Sequence, residues 1–130
     1  LPPPPLECSA LWRELQDRGA LRGVVGRGSF REAGTPAAYR ELVTSLLDEG
    51  GWFHERSEVA GSARAIGSAV GASCRVGERA LLEHCVVTGG AEVSAKCTLR
   101  RCVVAGDVTV PPGTALEDTL ILPGGTSPLR

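Results

Sequence analysis

From Val70 onward the hydrophobic positions of this chain recur with a period of 17. The sequence reads VGASCRVGERALLEHCV from Val70, VTGGAEVSAKCTLRRCV from Val87 and VAGDVTVPPGTALEDTL from Val104. Superposing the three copies gives columns of one kind: Val70, Val87, Val104 and Ile121; Val76, Val93 and Val110; Leu82, Leu99 and Leu116; Val86, Val103 and Leu120. Small residues fill the columns between them: Cys74, Ala91, Val108; Ala80, Cys97, Thr114; and Cys85, Cys102, Thr119. Within a copy the leading aliphatics step by six, six and five, as in Val70, Val76, Leu82, Val87. That spacing predicts a triangular coil. Each side is a short strand with a branched residue pointing inward and a small one near the corner. Equivalent residues of successive coils lie about 4.8 Å apart, the spacing of strands in a sheet. The predicted fold is mainly β, a parallel β-helix. A weaker copy from Phe53 to Ala69 keeps Val59 and Ala63 in register and blurs its third side, for about four coils in a stack roughly 20 Å tall. An antiparallel sandwich also uses short Val-rich strands, but nothing in it requires one period with its five-residue step always in the same place.

The pattern before the coils is helical. In SALWRELQDRG, Leu11, Trp12 and Leu15 share a helical spacing, with Ser9 as cap and Gly19 as stop. GALRGVVGRGSF reads as a strand or hairpin punctuated by glycine. TPAAYRELVTSLLDEGG reads as a helix capped by Thr35 with Pro36 in its first turn, and Tyr39, Leu42, Val43, Leu46 and Leu47 form its buried stripe.

Composition sharpens this division. All five aromatics, Trp12, Phe30, Tyr39, Trp52 and Phe53, precede residue 54, so the coils must be filled by Val, Leu, Ile, Ala and Cys. Seventeen Gly and nine Pro accompany 42% hydrophobic residues, too many for a disordered chain. A formal net charge of -1 offers no field to gather nucleic acid. No apolar run is long enough to span a bilayer and no basic-then-apolar leader opens the chain, so the expected location is cytoplasmic, without a membrane partner. The five Cys show no paired metal spacing and fit reduced thiols. The chain has no Met and begins with Leu1 beside the run Pro2 to Pro5, which suggests a fragment.

From Phe30 to Tyr39 the residues FREAGTPAAY resemble the aromatic-x-Asp-x-Gly-Thr-Pro-x-x-Tyr signature of sugar-phosphate nucleotidyltransferases. In that family the signature closes the catalytic domain, and a helix leads into a left-handed β-helix of hexapeptide repeats. The copy ending in RRCVVAGDVTVPPGTALEDTLIL is similar to the mannose-1-phosphate guanylyltransferase branch. The resemblance covers residues 10–122. It implies a left-handed coil at 53–124, a remnant of the catalytic domain with its linking helix at 1–52, and a tail at 125–130. It implies substrate-binding roles for Glu32, Gly34 and Thr35. In the complete enzyme Mg²⁺ would be the cofactor, with sugar phosphate and nucleoside triphosphate as partners; none of these is expected for this chain alone. Glu32 stands where the family has Asp, and it is the one residue matching a metal ligand. The family's Gly-rich phosphate loop has no counterpart here. GVVGRGSF contains Arg27, but it directly precedes the Gly-Thr-Pro segment and reads as a structural turn.

His54 and His84 are the only imidazoles, and left-handed β-helix acyltransferases place a His at a subunit interface. His84 shares a column with Arg101 and Asp118 and is expected to face solvent, and His54 to begin the first coil and help join helix to coil. Cys85 and Cys102, 17 residues apart in one inward column, are expected to be buried thiols. Glu83, Arg100 and Arg101, and Glu117 and Asp118 place alternating charges up one face, read as a solvated face. Three functions follow: the C-terminal part of a sugar nucleotidyltransferase with the coil serving assembly or regulation, a free-standing β-helix interaction module, or a hexapeptide acyltransferase. Self-association through the β-helix is expected, because a coil end exposes strand edges around Ile121 and Leu122.

Overall fold

The computed structural model describes residues 7–130, which divide into two compact units meeting between Phe30 and Arg31. In the first, helix α1 (Cys8–Asp17) starts one residue before the expected cap, with Glu7 at the N-cap position and Ser9 already inside the first turn. Its end is as the sequence indicates. Gly19 takes φ 64°, and the backbone N–H groups of Gly19 and Ala20 bond the carbonyls of Gln16 and Leu15. The expected strand or hairpin over 19–30 does not form. Val24 and Val25 are more than 90% exposed, and without a paired neighbour a glycine-punctuated apolar stretch has nothing to hold it extended.

In the second unit, α2 (Pro36–Ser45) begins as predicted: the Thr35 hydroxyl oxygen accepts from the Ala38 N–H at 3.1 Å, with Pro36 in the first turn. The first coil contributes β1 (Trp52–Phe53), β2 (Glu58–Val59) and β3 (Arg64–Ile66). The second contributes β4 (Ala69–Val70), β5 (Arg75–Val76) and β6 (Leu81–Glu83), and the third β7 (Val86–Thr88), β8 (Glu92–Val93) and β9 (Thr98–Arg100). The fourth contributes β10 (Val103–Ala105), β11 (Thr109–Val110) and β12 (Ala115–Glu117), and β13 (Thr119–Leu122) and β14 (Gly125–Pro128) follow.

Every pairing among β1 to β13 is parallel, which removes the antiparallel sandwich. Strands 17 residues apart stack into three faces: the first carries β1, β4, β7, β10 and β13, the second β2, β5, β8 and β11, the third β3, β6, β9 and β12. The fold is a parallel β-helix of about four coils. The predicted columns are its registers. Val70 pairs with Val87, Val87 with Val104, and Val104 with Ile121; Val76, Val93 and Val110 align likewise, as do Leu82, Leu99 and Leu116. The third side of the weaker copy is a full strand, with Ala65 opposite Leu82.

These inward residues other than Ala65 and Leu116, with Cys74, Ala80, Cys85, Ala91, Cys97 and Cys102, form one core of almost no solvent exposure, and Ala65 and Leu116 pack against it half-buried. The column of Val86 and Val103 alternates with that core and so points outward, yet both are at most 4% exposed because α2 packs against β7 on this face. In α2 itself Leu42, Val43 and Leu47 are half-buried, whereas Tyr39 and Leu46 are exposed, so its buried stripe is narrower than expected. Residues 125–128, expected as a tail, form β14 and pair antiparallel with β13, covering the Ile121–Leu122 edge from within the chain. Among the described residues no helix is long and apolar enough to cross a membrane.

Candidate functional site

The corner between the third and first faces is built by one repeated backbone device. Gly67, His84, Arg101 and Asp118 stand 17 residues apart, and all adopt left-handed φ, from 52° down to 46°. One residue on, Ser68, Cys85, Cys102 and Thr119 each turn a hydroxyl or thiol back to the carbonyl two residues earlier. Those donors reach Ile66 O at 2.9 Å, Glu83 O at 3.3 Å, Arg100 O at 3.2 Å and Glu117 O at 2.7 Å. The column therefore selects a small side chain that can also donate, and the shared chemistry of Ser, Cys and Thr was the signal that a reading by size alone passed over.

Cys85 and Cys102 are free and fully buried, as expected, and the Cys102 N–H approaches Cys85 Sγ at 3.5 Å. The neighbouring Cys102 thiol and then burial push the Cys85 thiol far above its ordinary range, so it is held as an inert thiol. The same contact draws the Cys102 thiol down to about 7, but Cys102 is fully buried as well, so neither sulfur of this column is open to a substrate.

His84 is exposed at the corner, as its column predicts. Its imidazole lies over Gly67, where a Cβ would meet Nδ1 at 2.7 Å, so that glycine is required by close approach as well as by its φ. One coil further, Arg101 donates to both oxygens of Asp118, at 2.8 and 2.9 Å, and also pairs with Glu117. That guanidinium holds the Asp118 carboxyl below its usual range. Asp118, the carboxylate of this column, is thus committed to Arg101, and Glu83 beside His84 is paired with Arg100. His54 stands at the beginning of the first coil, directly after β1, as expected: its Nδ1 accepts from the Arg56 N–H at 3.0 Å, and its ring stands edge-on to Trp52.

The residues drawn from the Gly-Thr-Pro resemblance are divided between two depressions. Gly34 and Thr35 line a cleft of about 410 Å³ with Pro36, Tyr39, Ala105 and Leu122, between the start of α2 and the outer surface of the first face. Glu32 lies in a second depression of about 350 Å³ with Arg31, Glu41 and Ser45, where Arg31 donates to the Ser45 hydroxyl. The Thr35 hydroxyl oxygen is engaged as the helix cap. The C-terminal segment closes in beside it: the Ala37 N–H donates to Arg130 O at 3.2 Å, and the Leu129 N–H to Asp118 O at 2.7 Å.

Glu32 does not fit a divalent cation. It is exposed, Arg31 and Glu41 are its charged neighbours in the depression, and among the described residues no three His, Cys, Asp or Glu side chains converge as metal ligands. The cleft, whose lining has the hydroxyls of Thr35, Tyr39 and Thr88 among mostly apolar walls and no basic side chain, also lacks the phosphate cradle that phosphoryl transfer requires.

No curated protein and no solved structure matches the chain. Residues 41–118, from the middle of α2 through the fourth coil, match the family described as GlmU-like, C-terminal hexapeptide. With the 17-residue parallel register seen in all three faces, the chain belongs to that GlmU-like hexapeptide-repeat family.

Proposed function

We propose that this chain is the β-helical C-terminal part of a sugar-1-phosphate nucleotidyltransferase, acting in nucleotide-sugar synthesis of the GDP-mannose type, with the coil serving assembly or regulation. The observation that carries the reading is the FREAGTPAAY segment. Its Thr35 caps α2, and α2 in turn covers the outer Val86 and Val103 of the first face. A Gly-Thr-Pro segment fused to a hexapeptide coil in this way is the arrangement that the sequence resemblance implies, and an acyltransferase has no use for it.

In this reading the chemistry, attack of a sugar 1-phosphate oxygen on the α-phosphorus of a nucleoside triphosphate with release of pyrophosphate, belongs to residues outside 7–130. The described residues supply neither a phosphate cradle nor a metal cluster. The test is direct. A longer product of the same gene that contains this chain, given mannose 1-phosphate and GTP, releases pyrophosphate, and the 130-residue chain alone binds neither ligand in calorimetry. Micromolar nucleotide binding by the short chain overturns the division of labour. Acetyl transfer from coenzyme A that disappears in His84→Ala overturns the reading in favour of acyl transfer, for which exposed His84 is the one candidate base.

A further inference from the structure

The last strand of the first face is held in place by its main chain. β14 lies antiparallel on β13, with Thr119 opposite Pro128, Leu120 opposite Ser127, Ile121 opposite Thr126 and Leu122 opposite Gly125. All four of its residues are exposed, so no buried side chain anchors it. A strand of that kind opens at the low end of the local stability range. Two contacts tie down the residues that follow. The Leu129 N–H donates to Asp118 O at 2.7 Å, and the Ala37 N–H, in the first turn of α2, donates to Arg130 O at 3.2 Å.

The free side of β14 is closed to a further strand. Successive main-chain groups of a strand point to alternate sides. Since the Leu129 N–H points to Asp118 on the β13 side, the Pro128 nitrogen points to the free edge, and it carries no hydrogen. An incoming strand therefore has its ladder on β13, in the place that β14 now holds.

Paired residues on neighbouring strands share a face, so β14 prolongs the outward columns of the first face by one rung. Val103 and Leu120 lead to Ser127, and in the same register Ala105 and Leu122 lead to Gly125. Those four outward residues line the apolar cleft of about 410 Å³ that also holds Pro36 and Tyr39. Next to them β14 sets a hydroxymethyl group and a bare glycine, and Leu122 stays 41% exposed. The resident strand satisfies the main chain of β13 and leaves its outward side chains uncovered. No charged side chain lines the cleft.

We propose that the edge of β13 is a strand-binding site whose resident occupant, β14, gives way to an extended segment of a partner protein, uncharged and with apolar side chains at alternate positions. Main-chain bonds are exchanged like for like, so discrimination lies in the two side chains that take the places of Gly125 and Ser127. Exchange also withdraws Arg130 O from the Ala37 N–H, which carries the event to the start of α2 beside Thr35. The site lies on the coil and stands whatever reaction the longer protein performs.

The experiment adds three synthetic hexapeptides to the isotope-labelled 130-residue chain and follows its amides by NMR. GTSPLR repeats residues 125–130, VTVPLR is apolar at the two discriminating positions, and DTDPLR is charged there. VTVPLR releases the Leu129 and Ala37 amides from their bonded positions and leaves those of β5 and β8 unmoved. It binds roughly tenfold more tightly than GTSPLR, the worth of burying two Val side chains in part. DTDPLR does not bind. Ser127→Val gives the resident strand one of the same apolar groups at an exposed position, so it weakens VTVPLR binding and slows exchange of the Leu129 amide. A Leu129 amide that stays bonded at millimolar VTVPLR overturns the proposal, whether the peptide is unbound or has added at the outer edge. Equal binding of DTDPLR, or an affinity for VTVPLR that Ser127→Val leaves unchanged, overturns it as well.

Discussion

Leu99→Ala measures how closed the coil core is. Leu99 is fully buried, in register between Leu82 and Leu116 on the third face. Its cross-section is completed by residues of its own and the next coil that are themselves fully buried, among them Val93, Cys97 and Cys102. Truncation removes the transfer free energy of the lost carbons and leaves a cavity whose cost depends on how far the surroundings collapse. Here collapse is blocked, since parallel ladders above and below hold the backbone at strand spacing. The cost therefore belongs in the middle to upper part of the usual range, about 3–4 kcal/mol. At about 4 °C or more per kcal/mol for a unit of this size, the midpoint falls by at least ~12 °C. Leu116→Ala is the internal control. That residue is half-buried in the last coil, and its truncation costs about 1–2 kcal/mol. Urea titrations followed by circular dichroism give both differences at constant slope. A Leu99→Ala loss no larger than that of Leu116→Ala refutes a core closed at the third coil.

Three further outcomes follow from the same packing. With a thiol reagent under native conditions only Cys8, the exposed cysteine, reacts, and the other four titrate after unfolding; two or more fast native thiols contradict their burial. Thr35→Ala removes the acceptor for the Ala38 N–H and costs about 1 kcal/mol, while Thr35→Asp keeps it, as thermal melts of the two variants will show. Asp118 has a folded-state pKa below its ordinary 3.8 because Arg101 stabilises the carboxylate, so its contribution is present above that value and is lost as pH falls through the lower folded pKa. The stability gap between wild type and Asp118→Asn must therefore narrow on acidification below about pH 4, and a gap that is constant or widens there contradicts the pairing.

The coil was legible because its period is enforced by sterics that every copy repeats: a branched aliphatic fits the middle of each inward side, and little else does. The start of α2 was legible for an equally local reason, since Thr35 and Pro36 act within one turn. Longer-range facts were not. Val86 and Val103 show up in sequence as one more aliphatic column, but nothing in a column says whether it faces in or out, and only the docking of α2 explains an outward one that is buried. Residues 125–128 carry no strand pattern of their own and become β14 because β13 offers them an edge. The opposite error, a strand or hairpin expected over 19–30, arose where apolar residues had no edge to join.

The candidate site was legible only in part, and for a physical reason. The charges of the coil were visible as alternating columns, and a single column has the obvious explanation of a solvated, self-paired face, which Arg100 with Glu83 and Arg75 with Glu58 do satisfy. Which of these charges stack on one another was not legible, because level has no meaning until the parallel registers fix it: Glu58 with Arg75 and Arg75 with Glu92 on the second face, Glu83 with Arg100 and Arg100 with Glu117 on the third.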